Sequence, residues 1–202
     1  MFERAAKKLK ENNFQVTCFE TAAEAAAYLD HAITGRSVGI GGSHTVQEMG
    51  LYRLLESHNL VYFTASRKRS AEERDLLWKA SVNTDIYITS VNGLAVDCGA
   101  LINIDGVGNR LSSTLYGHEK VYFVIGRNKL APDFEQALWR ARNIAAPKNC
   151  QALGKKTPCA ARGDRCYDCS SPQRICNGLL VLWKKMGSCE MEVVLINEDL
   201  GY

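Results

Sequence analysis

The chain has 202 residues, 46% hydrophobic and 23% charged, with 25 Lys and Arg against 22 Asp and Glu for a net charge of +3. This is the composition of a folded globular chain rather than a disordered one. The near-balance of charge leaves no cationic surplus to neutralise a run of phosphates, so nucleic acid is excluded as an expected partner. No apolar run approaches the roughly 20 residues that span a bilayer, and the stretch from Met1 to Lys8 lacks the apolar core of an export signal, so a cytoplasmic location is expected.

The first half reads as helices and strands in alternation. Phe2, Ala5, Ala6 and Leu9 form a helical stripe that stops at Asn12-Asn13, and Phe14 to Phe19 alternates like a strand. Thr21-Ala22-Ala23-Glu24 is a capping-box pattern opening an Ala-rich helix to about Ile33. Ser37 to Ile40 is a short strand ending at Gly41-Gly42, and Thr45-Val46-Gln47-Glu48 reads as a second capping box. A strand over Leu60 to Thr64 follows, then a helix capped by Ser70 and Glu73 with Leu76, Leu77 and Ala80 on one face. Lys68 to Arg74 reads as a solvated helix start of mixed charge.

Continuous apolar runs at Asp85 to Val91, Ala100 to Ile104 and Lys120 to Ile125 have the character of strands covered on both faces. Beyond Pro132, residues Phe134, Ala137, Leu138, Ala141 and Ile144 keep helical spacing. A short helix around Leu179 to Lys185 and a final strand from Met191 to Ile196 are expected at the end. Alternation of this kind predicts an α/β fold with a mainly parallel sheet and helices on both sides, some hairpin strands being allowed. Trp78, Trp139 and Trp183 read as packing residues.

Between residues 147 and 177 the texture changes: periodicity is lost, and Pro, Gly, Lys, Arg and Cys dominate. With ordered elements on either side, this stretch reads as a Cys-rich insertion within one domain spanning residues 1–202. Five of the eight cysteines fall here, as Cys150-x8-Cys159-x6-Cys166-x2-Cys169-x6-Cys176. Thiolates favour soft or borderline metals. A zinc ribbon presents two Cys-x2-Cys pairs, whereas this segment has one pair flanked by single cysteines, a spacing easier to reconcile with an iron–sulfur cluster. Cys159, Cys166, Cys169 and Cys176 are the expected ligands, with Cys150 as the spare or as the replacement for one of them. Zinc, or free thiols without metal, are the alternatives.

Four polar loops follow strand ends. Gly41-Gly42-Ser43-His44-Thr45 lies between a strand and a helix start, where backbone N–H groups and two hydroxyls can meet an anion. A plain tight turn capped by Ser43 or Thr45 is the simpler alternative. Asn103 to Arg110 carries Asn103, Asp105 and Asn109, although Asp105-Gly106 is also a hairpin signal. Gly126-Arg127-Asn128-Lys129 and Val91-Asn92-Gly93 complete the set. In a doubly wound sheet, such loops line one crevice at the carboxyl ends of the strands. Its expected occupant is a small anion, contacted by Gly41, Gly42, Ser43, His44, Thr45, Asn92, Asn103, Asp105, Asn109, Asn128 and Lys129. His31, His58 and His118 stand alone, and no nucleophile elbow or P-loop occurs.

The runs Asp85 to Ala95, Gly99 to Gly106, Gly108-Asn109-Arg110, Lys120-Val121 and Gly126 to Lys129, with Gly41 to Thr45 upstream, resemble the LUD family. That family includes the LutC- and YkgG-type lactate-utilisation proteins. The resemblance implies a three-layer, parallel-rich α/β fold of the NagB/RpiA/CoA-transferase type. It also implies a part in oxidising lactate to pyruvate beside iron–sulfur oxidoreductase subunits, and leaves open whether the chain turns over substrate itself. Related isomerases place an acid after the middle strand, and related CoA transferases use a glutamate; Val91-Asn92-Gly93-Leu94 offers neither. A sugar-phosphate or acyl-CoA enzyme with structural zinc and a non-catalytic binding subunit are the rival readings.

Overall fold

The computed structural model describes residues 1–63 and 70–202. Thr64, at the end of the third expected strand, and Lys68 and Arg69, before the third expected helix, lie outside the described residues.

Along the chain, α1 (Phe2–Glu11) leads to β1 (Gln15–Phe19), α2 (Ala22–Ala32), β2 (Ser37–Ile40), the short α3 (His44–Glu48) and α4 (Leu51–Leu55), and β3 (Leu60–Phe63). Then come α5 (Ala71–Ser81), β4 (Ile86–Thr89), β5 (Gly93–Ala95), β6 (Leu101–Asp105), α6 (Asn109–Ser113) and β7 (Lys120–Gly126). The remainder is β8 (Leu130–Ala131), α7 (Phe134–Arg140), a π-helical turn (Ala141–Ala145), α8 (Ala146–Ala152), α9 (Pro158–Arg162), β9 (Gly178–Leu182) and β10 (Glu190–Ile196). Six strands form an all-parallel sheet in the order β1-β10-β7-β4-β2-β3, and a smaller mixed sheet runs β8-β5-β6-β9.

The central strands bury both faces, and their period of two sorts side chains between two cores. Met191, Val193 and Leu195 of β10, with Val121, Phe123 and Ile125 of β7, pack towards α1 and the smaller sheet. Val194 and Ile196, with Tyr122 and Val124, pack towards α2 and α4 against Ala25, Leu29, Leu51 and Leu55. A third cluster joins the smaller sheet to α7 through Ala95, Ile102, Ala137 and Ala141. Gly93 makes that approach possible, because a Cβ there would stand 2.6 Å from the Ala137 carbonyl oxygen.

Both flanking capping boxes form: the Thr21 and Ser70 hydroxyls accept from the main-chain N–H groups of Glu24 and Glu73, whose carboxylates reach back. The middle box does not. Ser43 caps α3, its hydroxyl accepting from the Val46 N–H, while Thr45 is buried and Glu48 accepts from the Gly201 N–H instead.

Other expectations give way to tertiary packing. The stretch expected as a helix from Leu179 is strand β9, paired antiparallel with β6 from Leu182↔Leu101 to Gly178↔Asp105. Four successive apolar residues satisfy either period, and the open edge of β6 decides between them. Trp139 and Trp183 are 58% and 56% exposed rather than packed inside, and Trp183 stacks on Phe134 at the surface. Helical structure also continues past residue 146 to Ala152 through the π turn. Pro147, which has no N–H to return to the preceding turn, lies two residues beyond it and accounts for the local widening.

Candidate functional site

The carboxyl ends of β2, β4 and β7 are adjacent because those strands are neighbours in the parallel sheet. Their loops enclose a cavity of about 1050 Å³ together with the loop after β6. Gly42, Ser43, His44, Asn92, Asp105, Asn109 and Lys129 line it. The other expected contacts stand behind that wall. Gly41 is pressed between Tyr87 and Arg110, where a Cβ would lie 2.5 Å from the Tyr87 hydroxyl. Thr45 is covered by Lys129, and Asn103 is buried, its Nδ2 donating to the Ser90 carbonyl at 3.2 Å. Asn128 anchors the chain end, donating to the Gly201 carbonyl and accepting from the Leu200 N–H, each at 3.2 Å.

Several lining groups are already committed to shaping loops. Asn92 accepts from the Ile104 N–H at 2.7 Å through its side chain. Asp105 accepts from the N–H groups of Val107 and Arg110, and Arg110 Nε lies 3.5 Å from the same carboxylate. Arg140, buried behind the cavity, donates to the carbonyls of Asn128 and Asn92 at 2.8 and 2.6 Å. It thereby ties the loops after β7 and β4 together, and burial pulls its guanidinium down to about 10.

Lys129 differs. It is 4% exposed, yet among the described residues no carboxylate forms an ion pair with it. Its Nζ donates to Thr45 Oγ1 at 2.6 Å and Ser90 Oγ at 2.9 Å. Burial, then the charges of Arg140 and Arg110, bring its pKa down to about 7, against a smaller opposing pull from Glu48.

Sequence reasoning missed the far wall. Gln151 to Lys155 and Pro172 to Ile175, all from the Cys-rich segment, close the cavity, with Arg74 and Trp78 from α5 and Tyr202 from the chain end. Tyr202 Oη is 2.6 Å from His44 Nε2, and the two rings lie 4.3 Å apart. Among the described residues the lining cations are Arg74, Arg110, Lys129, Lys155 and Arg174, against the single carboxylate of Asp105. Run composition alone marks these as ordinary surface cations; only the packing of the segment turns two of them inward.

The segment is fastened by polar contacts rather than a core. The Asn177 N–H donates to the Asp105 carbonyl and its side chain to the Gly106 carbonyl. Arg174 donates to the carbonyls of Cys169 and Cys176, at 2.7 and 3.1 Å. All eight cysteines are free thiols. Within the segment, thiols lie in electrostatic reach of one another. Burial, then the adjoining Cys159 and Cys176, hold the Cys150 thiol up at about 11, with Thr157 opposing. Burial also raises Cys176, Arg174 opposes, and Cys166 and Cys169 add to the rise. Among the described residues no three His, Cys, Asp or Glu side chains converge tightly enough for one metal ion. Cys166 also lines a separate surface groove of about 560 Å³ with Trp139, Arg142 and Tyr167. No helix among the described residues is long and apolar enough to cross a membrane.

The LUD domain model matches residues 2–196. A DUF162 family protein from Deinococcus radiodurans shares the fold, with a TM-score of 0.54 at 11% identity, covering 96% of this chain and 94% of that one. No curated protein matches the chain. With the model spanning nearly every residue, the chain belongs to the LUD-domain family of lactate-utilisation-related proteins.

Proposed function

We propose that this protein binds a small carboxylate or phosphate ligand in the cavity at the strand ends, and that its cysteine segment holds an iron–sulfur cluster serving lactate oxidation. The excess of cations over carboxylates on the cavity wall carries the first half. A carboxylate entering there replaces its hydration with the charges of Arg110, Lys155 and Arg174 and the polar Ser43 loop, with Lys129 at hand, in a partly enclosed space that strengthens each contact. Asn103, Asn128 and Arg140 hold the loops in place behind it. Gln151 to Lys155 and Pro172 to Ile175 of the Cys-rich segment form the far wall of the cavity.

The second half is supported by the donor set. Cys159, Cys166, Cys169 and Cys176 supply the soft ligands such a cluster needs, and Cys176 directly follows the cavity-lining Arg174 and Ile175. Such a cluster supplies one-electron transfer. Arg142 and Arg174 offset the negative charge of thiolates.

Anaerobic purification with iron, sulfide and zinc analysis tests the cluster, and calorimetry with lactate, pyruvate, phosphosugars and CoA tests the ligand. A brown protein with iron and sulfide that binds lactate or pyruvate is expected. A colourless protein with stoichiometric zinc overturns the redox half; binding of phosphosugar or CoA alone moves the chain to the non-redox reading.

A further inference from the structure

The cavity floor contains a primary amine whose surroundings do not suit a permanent cation. Lys129 Nζ is fixed from two sides by Thr45 Oγ1 and Ser90 Oγ. The Thr45 hydroxyl gives its own proton to the Leu200 carbonyl at 3.2 Å, so its lone pair faces the lysine. An sp³ nitrogen bonded to Cε and donating to two hydroxyls keeps one tetrahedral position. Among the described residues no acceptor occupies it, and Lys129 is part of the cavity wall. The nearer charges, Arg140 and Arg110, have the same sign and outweigh the smaller opposing pull of Glu48. A desolvated lysine beside other cations is the environment that turns an ammonium into a nucleophilic amine.

We propose that Lys129 captures the carbonyl carbon of a 2-oxo acid as an imine. The inference rests on the reading of the cavity as an anion site and names the ligand class it takes. Arg110 and the Ser43 loop face the carboxylate, and the carbonyl carbon comes to the amine. The nitrogen lone pair forms the C–N bond while the carbonyl oxygen takes a proton, giving a carbinolamine. Expulsion of that oxygen as water then leaves the C=N bond, so the amine and carbonyl yield imine and water with no oxidant or reductant. Both protons on the departing oxygen come from the nitrogen, so the contacts to the two hydroxyls position the free amine before attack and are given up as the imine forms. A pKa drawn down to about 7 agrees with an appreciable fraction of free amine near neutrality.

The test is reductive trapping on the full chain. Protein incubated with pyruvate and cyanoborohydride is expected to gain one pyruvyl-derived adduct per chain, mapped to Lys129 by peptide mass spectrometry. Excess lactate, which has the carboxylate and no carbonyl, is expected to protect the site without labelling it. Lys129→Arg, which keeps a cation at the site and removes the primary amine, is expected to lose the adduct. Mapping on the unsubstituted protein stands even where that variant does not fold. Pyruvate binding by calorimetry with no adduct at Lys129 overturns the imine and leaves the anion site standing. Absence of binding by any 2-oxo acid removes the imine, absence of binding by lactate, phosphosugar and CoA as well removes the anion site itself, and labelling scattered over surface lysines also overturns the proposal.

Discussion

Arg174 Nη1 donates to the Cys169 carbonyl at 2.7 Å, and the same side chain lines the cavity at the strand ends. One guanidinium thus holds the turn of the Cys-x2-Cys pair and contributes charge to the cavity wall. Arg174→Met, which keeps much of the apolar stem, is expected to weaken lactate or pyruvate binding several-fold and to lower bound iron in the same preparation. Calorimetry and iron analysis read the two effects. Iron retained at the unsubstituted level with unchanged affinity contradicts this coupling.

Lys129 makes stability depend on pH with a definite sign. Its folded pKa of about 7 lies below the ordinary lysine value, pushed there by burial and by Arg140 and Arg110. Between those two values the unfolded chain binds more protons than the folded one, so stability rises as pH climbs from 7 towards 9. Urea denaturation across that range is expected to show the rise for the natural protein and a flatter profile for Lys129→Met. An identical slope in both would place the lysine charge elsewhere.

A buried ion pair braces the main sheet at β10. Glu192 accepts from Lys120 Nζ and Tyr28 Oη, each at 2.7 Å, and from Thr17 Oγ1 at 2.8 Å. Burial alone would raise this carboxyl, but these donors outweigh it and hold it below its ordinary value. Its stabilisation is therefore full above the ordinary carboxylate range and lost as pH falls through the depressed pKa. Lys120→Met is expected to cost about 2 kcal/mol at pH 7, and less in acid, because a buried carboxylate loses its charged partner. Chemical denaturation at two pH values measures this.

Gly41 has no room for a side chain. A Cβ would stand 2.5 Å from the Tyr87 hydroxyl and 2.9 Å from Arg110 Cγ. Gly41→Ala is expected to cost about 1–3 kcal/mol through overpacking. Because Arg110 lines the cavity, anion affinity falls as well. Thermal unfolding and calorimetry together read both, and an unchanged melting temperature would show that the loop yields freely.

The thiols separate by position. Cys166→Ser or Cys169→Ser is expected to abolish most bound iron, whereas Cys18→Ser, at an exposed strand position far along the chain, is expected to leave it unchanged. Iron-to-protein ratios after anaerobic purification decide this.

Local chemistry made much of the fold legible. The apolar runs of β4, β6, β7 and β10 announce strands covered on both faces, and the Thr21 and Ser70 boxes mark helix starts, because these preferences act within a few residues. The glycine–serine loop and Lys129 were likewise visible as strand-end groups. Tertiary structure decided what sequence spacing leaves open. It made residues 178–182 a strand by giving them the edge of β6, and it replaced Thr45 by Ser43 as helix cap because Thr45 meets Lys129. It also left Trp139 and Trp183 outside and brought Arg174, Trp78 and Tyr202 to one cavity. Those outcomes depend on groups far apart in the chain meeting in space, and no local propensity encodes which partner a free edge or an unpaired charge will find.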